Sequence, residues 1–130
     1  MKRYKLRHLD FEDIDHIRKV FPAINPTASI DAFAITNMKN EVVAYFAYEV
    51  CKVNEESVMR GHIMSLPSRR GVATARGIVE VYRRDIVKMA KDAGFSKIIA
   101  DCPAEHQTVR KLFEACGLFT QTVVLGTHIL

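Results

Sequence analysis

The stretch Ser65-Leu66-Pro67-Ser68-Arg69-Arg70-Gly71-Val72-Ala73-Thr74-Ala75 has the residue types and order of an anion-binding turn. The pattern around it predicts a strand over residues 58–66 and a strongly amphipathic helix over 72–93. A chain that passes from a strand through a Gly- and Ala-rich turn into a helix leaves its first helical N–H groups without intrahelical partners. The positive end of the helix dipole stands behind them, and phosphate binds readily at such a terminus. Small side chains at Gly71, Ala73 and Ala75 would let an anion come close to the backbone. The same residues would serve a turn that only packs tightly, so two readings stand.

Proton transfer has its own candidates. His62 lies on the strand before the turn, and a neutral imidazole is available as a base at pH 7. The alternative is a structural or exposed strand histidine. Glu49 is a weaker choice. The histidines at 8, 16, 62, 106 and 128 show no metal-ligand spacing, so no metal is expected. There is no Gly-x-x-x-x-Gly-Lys-Ser/Thr phosphate loop and no Gly-x-Ser-x-Gly elbow.

The elements that must position these groups follow from periodicity and punctuation. Residues 2–8 alternate loosely as a first strand. Asp10 is the candidate N-cap of a first helix, with Asp13 three residues on and Leu9 placed to staple onto Ile14. Ile14, Ile17 and Phe21 share one face of that helix, Pro22 ends it, and 21–29 is a loop or single turn. Residues 30–36 and 41–53 read as strands joined by a turn at 37–40. A second turn at 54–57 leads into the strand before the anion-binding turn. On the long helix Ala75, Ile78, Val79, Tyr82, Ile86, Met89, Ala90 and Ala93 form the core stripe, and Gly94 ends it. Residues 96–102 read as a buried strand of parallel type, closed by Pro103. Val109, Leu112, Phe113 and Cys116 mark a last helix capped by Gly117, and 119–130 supplies one or two closing strands. The order β-α-β-β-β-α-β-α-β predicts an α/β (α+β) domain: a mixed, mostly antiparallel sheet flanked by helices, with residues 1–130 as a single domain.

Composition sets the outer bounds. Length suits one core, and 48% hydrophobic with 26% charged residues is ordinary globular composition. No apolar run is long enough to span a membrane, and the basic start of the chain lacks the apolar run of a signal peptide. Cysteines at 51, 102 and 116 form neither a disulfide framework nor a metal pair, so a reducing cytoplasm is the expected location. A net charge of +4 suits an anionic partner or is simply a solvated surface. With no helix-turn-helix or zinc-finger signature, nucleic acid is the weaker partner.

Ser65-Leu66-Pro67 followed by Arg70-Gly71-Val72-Ala73-Thr74-Ala75 resembles the pyrophosphate-binding segment of the GCN5-related N-acetyltransferases, Val-x-Pro-x-x-Arg/Gln-Gly-x-Gly-x-Gly/Ala. About thirty residues on, the segment from His106 to Leu118 resembles that family's second signature, Asn-x-x-Ala-x-x-Leu-Tyr-x-x-x-Gly-Phe. The two matches cover roughly residues 58–119 in the family's order and separation. Ala73 stands where the family has its central Gly, His106 where it has Asn, and Phe113 where it has Tyr. The family also tends to have two helices before its second strand, where one is legible here.

The resemblance implies acetyl transfer from acetyl-CoA, with no metal, to a primary amine by direct attack in a ternary complex. It places the pyrophosphate on Arg70, Gly71, Val72, Ala73, Thr74 and Ala75, and the pantetheine arm along Ile63, Met64 and Ser65 as if it were an added strand. His106 would keep the hydrogen-bonding role of the family Asn, and Phe113 would lie beside the thioester without a proton to give. The position five residues before the family Asn, often a carboxylate in the Nα-acetylating branch, is Asp101 here. It is a candidate base beside His62, or a brace for the turn at Pro103. The acceptor, a small amine or a protein or other large substrate, is not specified, and homodimerisation stays open. Two other readings remain: a degenerate module that holds CoA or a partner protein without turnover, and a small basic nucleic-acid-binding domain.

Overall fold

The computed structural model describes residues 3–20, 31–100 and 107–117. The loop expected over 21–29, Phe21, Asp101, Pro103, His106 and the closing strands over 119–130 lie outside the described residues. Strand β1 (Lys5–His8) leads into helix α1 (Phe11–Val20), followed by strands β2 (Asp31–Thr36), β3 (Val42–Val53) and β4 (Glu56–Ser65). A single 3-10 turn at Pro67–Arg69 precedes helix α2 (Val72–Val81). A π turn (Tyr82–Ile86) carries it into α3 (Val87–Asp92), and β5 (Ile98–Ile99) and α4 (Gln107–Ala115) follow. The sheet order is β1-β2-β3-β4-β5, antiparallel until β5, which runs parallel to β4. This is the mixed, mostly antiparallel α/β architecture that the element order predicts.

Local chemistry sets most boundaries. The α1 start is a reciprocal cap: the Asp13 N–H donates to Asp10 Oδ1 and the Asp10 N–H to Asp13 Oδ2, both at 2.9 Å. The Asn37 Oδ1 accepts the N–H groups of Lys39 and Glu41, closing the β2–β3 turn. The β3–β4 turn is tighter than the expected 54–57. Only Asn54 and Glu55 leave the ladder, both with positive φ, and Glu56 and Ser57 pair with Val53 and Lys52. Gly94, at φ 83°, ends α3 as expected, with the Phe95 N–H on the Ala90 carbonyl.

The long helix departs from a plain α-helix for a reason visible in its stripe. Thr74, Ile78, Tyr82, Ile86 and Ala90 are all buried, a four-residue repeat. At 3.6 residues per turn that repeat drifts by about 40° per step. The wider π turn, marked by the Val87 N–H on the Tyr82 carbonyl, returns the stripe to the sheet. Gly77 on this helix faces the Tyr4 ring, whose atoms would stand 2.6 Å from an added Cβ. The strand expected over 96–102 is described as only two half-buried residues, Ile98 and Ile99. Among the described residues β5 has a neighbour on one side only, which leaves it half-covered.

Two apolar layers sandwich the sheet. Phe33, Ile35, Phe46 and Met59 pack against Ile78, Val81, Tyr82, Ile86 and Cys116 of the α2–α4 side. On the other face Ala34, Tyr45 and Leu66 pack against Ile17 of α1. The α1 side also holds an ion pair, Arg7 to the buried Asp13 at 2.5 Å. Burial pushes the Asp13 carboxyl up. The Arg7 guanidinium and the Asp10 backbone N–H outweigh it and hold the group below its ordinary 3.8. A depressed carboxyl stabilises the fold above its unfolded value and loses that contribution as pH falls through the lower folded value. Asp13→Asn should therefore cost about 1–3 kcal/mol at pH 7, less than a fully buried pair because Arg7 is 38% exposed. The gap from wild type in urea titrations should close as pH falls below 3.8. A gap that persists unchanged at pH 2 would mean that packing, not charge, carries it.

Candidate active site

Strand β4 delivers the chain to the turn expected to bind an anion. Leu66, buried under α1, is fixed by its N–H on the Val43 carbonyl, and the Arg69 N–H returns to the Leu66 carbonyl at 2.9 Å. Gly71 then occupies the N-cap position of α2 at φ 153°, ψ −176°. An added Cβ there meets nothing within 4 Å, so the backbone angle rather than space calls for glycine. The first intrahelical bond is that of the Ala75 N–H to the Gly71 carbonyl. Among the described residues no side chain caps the helix, and its first turn has no acid, so the N–H groups of Val72, Ala73 and Thr74 stand free of both.

The surroundings suit an anion. Arg70, Gly71, Val72 and Ala73 are exposed, and neither Arg70 nor Arg76 forms an ion pair among the described residues. Arg69 is committed elsewhere, to Glu41 at 2.9 Å. Thr74 departs from the role of direct ligand: its side chain is buried and its hydroxyl donates to the Arg69 carbonyl, leaving only its N–H to face outward. Ala75 is half-buried.

A second feature runs up to this turn. The pairing of β5 with β4 ends at Arg60–Ile99, yet β4 continues to Ser65. The Met59 N–H points to β5, on Lys97, and the Leu66 N–H points to β3. Main-chain direction alternates along a strand, so Gly61, Ile63 and Ser65 turn their N–H and carbonyl groups to the outer edge. Among the described residues that edge has no strand partner beyond Arg60. Met64 instead turns its main chain to β3 and its side chain to the α1 face.

Side chains of His62 and Met64 share the α1 face of the sheet with those of Tyr45 and Glu49. Register places His62 opposite Ala47 and Arg60 opposite Glu49, so Glu49 reaches both neighbours. Its Oε1 lies 3.5 Å from His62 Nε2 and 3.4 Å from Arg60. The His62 side chain is 43% exposed, open to solvent. Sequence reasoning did not find a second pair on this face, in which Tyr45, fully buried, meets His16 Nδ1 at 2.8 Å. Burial, helped by Asp13, pushes the Tyr45 hydroxyl up to about 12, so it stays protonated. A tyrosine inside an apolar strand is the signal that could have found it, because a buried hydroxyl needs a partner.

On the opposite face Cys116, just past α4, is buried in the core and Leu112 of α4 packs against it, while Phe113 is half-buried. Burial raises the Cys116 thiol to about 11 and the Tyr82 hydroxyl to about 12. Neither exchanges protons readily near neutrality.

No protein-family model matches the sequence, and no curated protein matches it either. Solved structures do. The spermidine/spermine N-acetyltransferase SpeG of Vibrio cholerae superposes with a TM-score of 0.73 at 14% identity, over 94% of this chain and 83% of that one. The ribosomal-protein-alanine N-acetyltransferase of Brucella melitensis gives 0.67 at 13%, over 97% and 99%. AAC(6')-Iy, solved with the bisubstrate analogue CoA-S-monomethyl-acetylneamine, gives 0.67 at 13%, over 98% of each chain. With a β4 edge that is open among the described residues and runs into an uncapped α2, this chain has the fold of the GCN5-related N-acetyltransferases.

Proposed function

We propose that the protein moves an acetyl group from acetyl-CoA to a primary amine by direct attack in a ternary complex. The observation that carries this reading is the uncapped α2 terminus, set at the end of a strand whose outer edge has no strand partner beyond Arg60 among the described residues. One element suits a pyrophosphate and the other an amide-rich arm, in the order a CoA thioester presents them. The N–H groups from Gly71 to Thr74, with Arg70 beside them, hold the diphosphate. Ile63 and Ser65 offer main-chain bonds to the arm as an added strand would take them. The fold shared with AAC(6')-Iy, solved with a CoA conjugate, supports the assignment.

When bound, acetyl-CoA supplies an activated acyl carbon; the chain must orient it and take a proton from the amine. His62 takes that proton on this reading: Glu49 Oε1 stands 3.5 Å from its Nε2, which leaves Nδ1 for the amine. Asp101 is the second candidate base. Phe113 donates nothing to the departing thiolate, and the raised Cys116 and Tyr82 groups are poor substitutes, which leaves water as the proton source among the described groups. Phe113 is also the one observation that favours a CoA-holding module without turnover.

Thiol release from acetyl-CoA over a panel of alkyl amines, polyamines and N-terminal peptides tests the reading. Amine-dependent release above the uncatalysed rate is expected for at least one class. Tight CoA binding with silence on every amine would move the protein to the binding module. A folded protein that does not bind CoA would overturn both.

A further inference from the structure

We propose that Thr74 is a positioning residue for the phosphate cradle, a role that rests on reading the α2 terminus as the CoA site. Helix N-termini are ordinarily held by an N-cap oxygen that accepts the N–H of the second or third helical residue. Such a cap steadies the turn but occupies an amide that an anion would use. Here the N-cap is Gly71, and among the described residues no side chain takes that place.

The turn is held from the other direction. Thr74, the third helical residue, is 6% exposed, and its hydroxyl donates backward to the Arg69 carbonyl. Arg69 is itself pinned by its N–H on the Leu66 carbonyl and by its guanidinium on Glu41, 2.9 Å each. Glu41 in turn accepts from the Asn37 side chain at 3.1 Å. A chain of bonds thus runs from the β2–β3 turn through Arg69 to Thr74, with Arg70 to Ala73 bracketed between fixed points. Because the bond at Thr74 joins a hydroxyl to a carbonyl, it rigidifies the loop without occupying any N–H group. A preformed site binds more tightly than one that must be ordered by its ligand.

If Thr74 only filled space, valine would serve as well, since it keeps the shape and loses the hydroxyl. Wild type, Thr74→Val, Thr74→Ser and Glu41→Gln of the full chain are compared by two measurements. These are CoA affinity by calorimetry and backbone order parameters for residues 70–73 without ligand. Thr74→Val should weaken CoA roughly tenfold, the worth of one lost buried hydrogen bond. It should also lower the order parameters from about 0.85 toward 0.6. Thr74→Ser should stay within about twofold of wild type, and Glu41→Gln, at an exposed site, should weaken CoA about threefold. A valine variant equal to wild type in both measurements overturns the proposal, as does a serine variant as impaired as valine. Should the valine variant fail to fold, unchanged affinity and order in Glu41→Gln overturn it instead. A wild type blind to CoA would sink the cofactor reading, while the order parameters alone would still decide the role of Thr74.

Discussion

Ala73→Glu is expected to raise the stability of the protein while lowering its affinity for CoA by about 100-fold or more. Ala73 is exposed at the second position of α2, where no acid stands in the first turn. A carboxylate there interacts favourably with the helix dipole and the free N–H groups, worth about 0.3–1 kcal/mol. The same charge would sit a few ångströms from a bound diphosphate. Two like charges 4 Å apart repel by about 4 kcal/mol at the effective dielectric of a protein surface, and salt reduces this. Opposite signs on the two measurements separate this effect from misfolding, which would lower both. Thermal unfolding with and without CoA checks it, since a ligand selective for the folded state raises the midpoint. A glutamate variant that keeps the full CoA-induced shift would place the diphosphate elsewhere.

His62→Gln is expected to lower turnover roughly 10²–10⁴-fold, the usual worth of a positioned base, with CoA affinity unchanged. The glutamine keeps a polar side chain on the α1 face but cannot take a proton. Glu49→Gln should cost about tenfold, since it leaves the imidazole in place without the carboxylate 3.5 Å from its Nε2. Both are read with the amine that wild type acetylates, together with Asp101→Asn. Loss of turnover in Asp101→Asn with His62→Gln intact would pass the role to the aspartate. Full activity in all three would leave solvent as the base.

What the sequence could reveal, it revealed where the cause is local. Asp10 and Asp13 are three residues apart, as a reciprocal cap requires, and the structure shows both bonds. Gly94 and Gly117 end their helices because few other residues adopt a positive φ. The strand–turn–helix that carries the expected anion-binding turn was legible for the same reason: its free N–H groups follow from where a helix starts, within one short stretch of chain. Family spacing added the expected fold, which comparison of structures bears out.

Across-strand relations were not legible, because they depend on register, which a linear pattern does not contain. Glu49 reaches His62 only because β3 and β4 pair without a bulge from Ala44–Ser65 to Val53–Glu56. A slip of one residue would turn the two side chains to opposite faces. Arg7 with Asp13 and His16 with Tyr45 likewise join separate elements. The hydroxyl of Thr74 shows the same limit at shorter range. By spacing it belonged with the phosphate ligands, and only burial of that side of α2 against the sheet turned it inward, onto the Arg69 carbonyl. Sequence alone therefore determined where an anion could meet the backbone. Packing of the helices on the sheet decided which side chains stand exposed around that turn, since burial selects one face of each element and leaves the other to solvent.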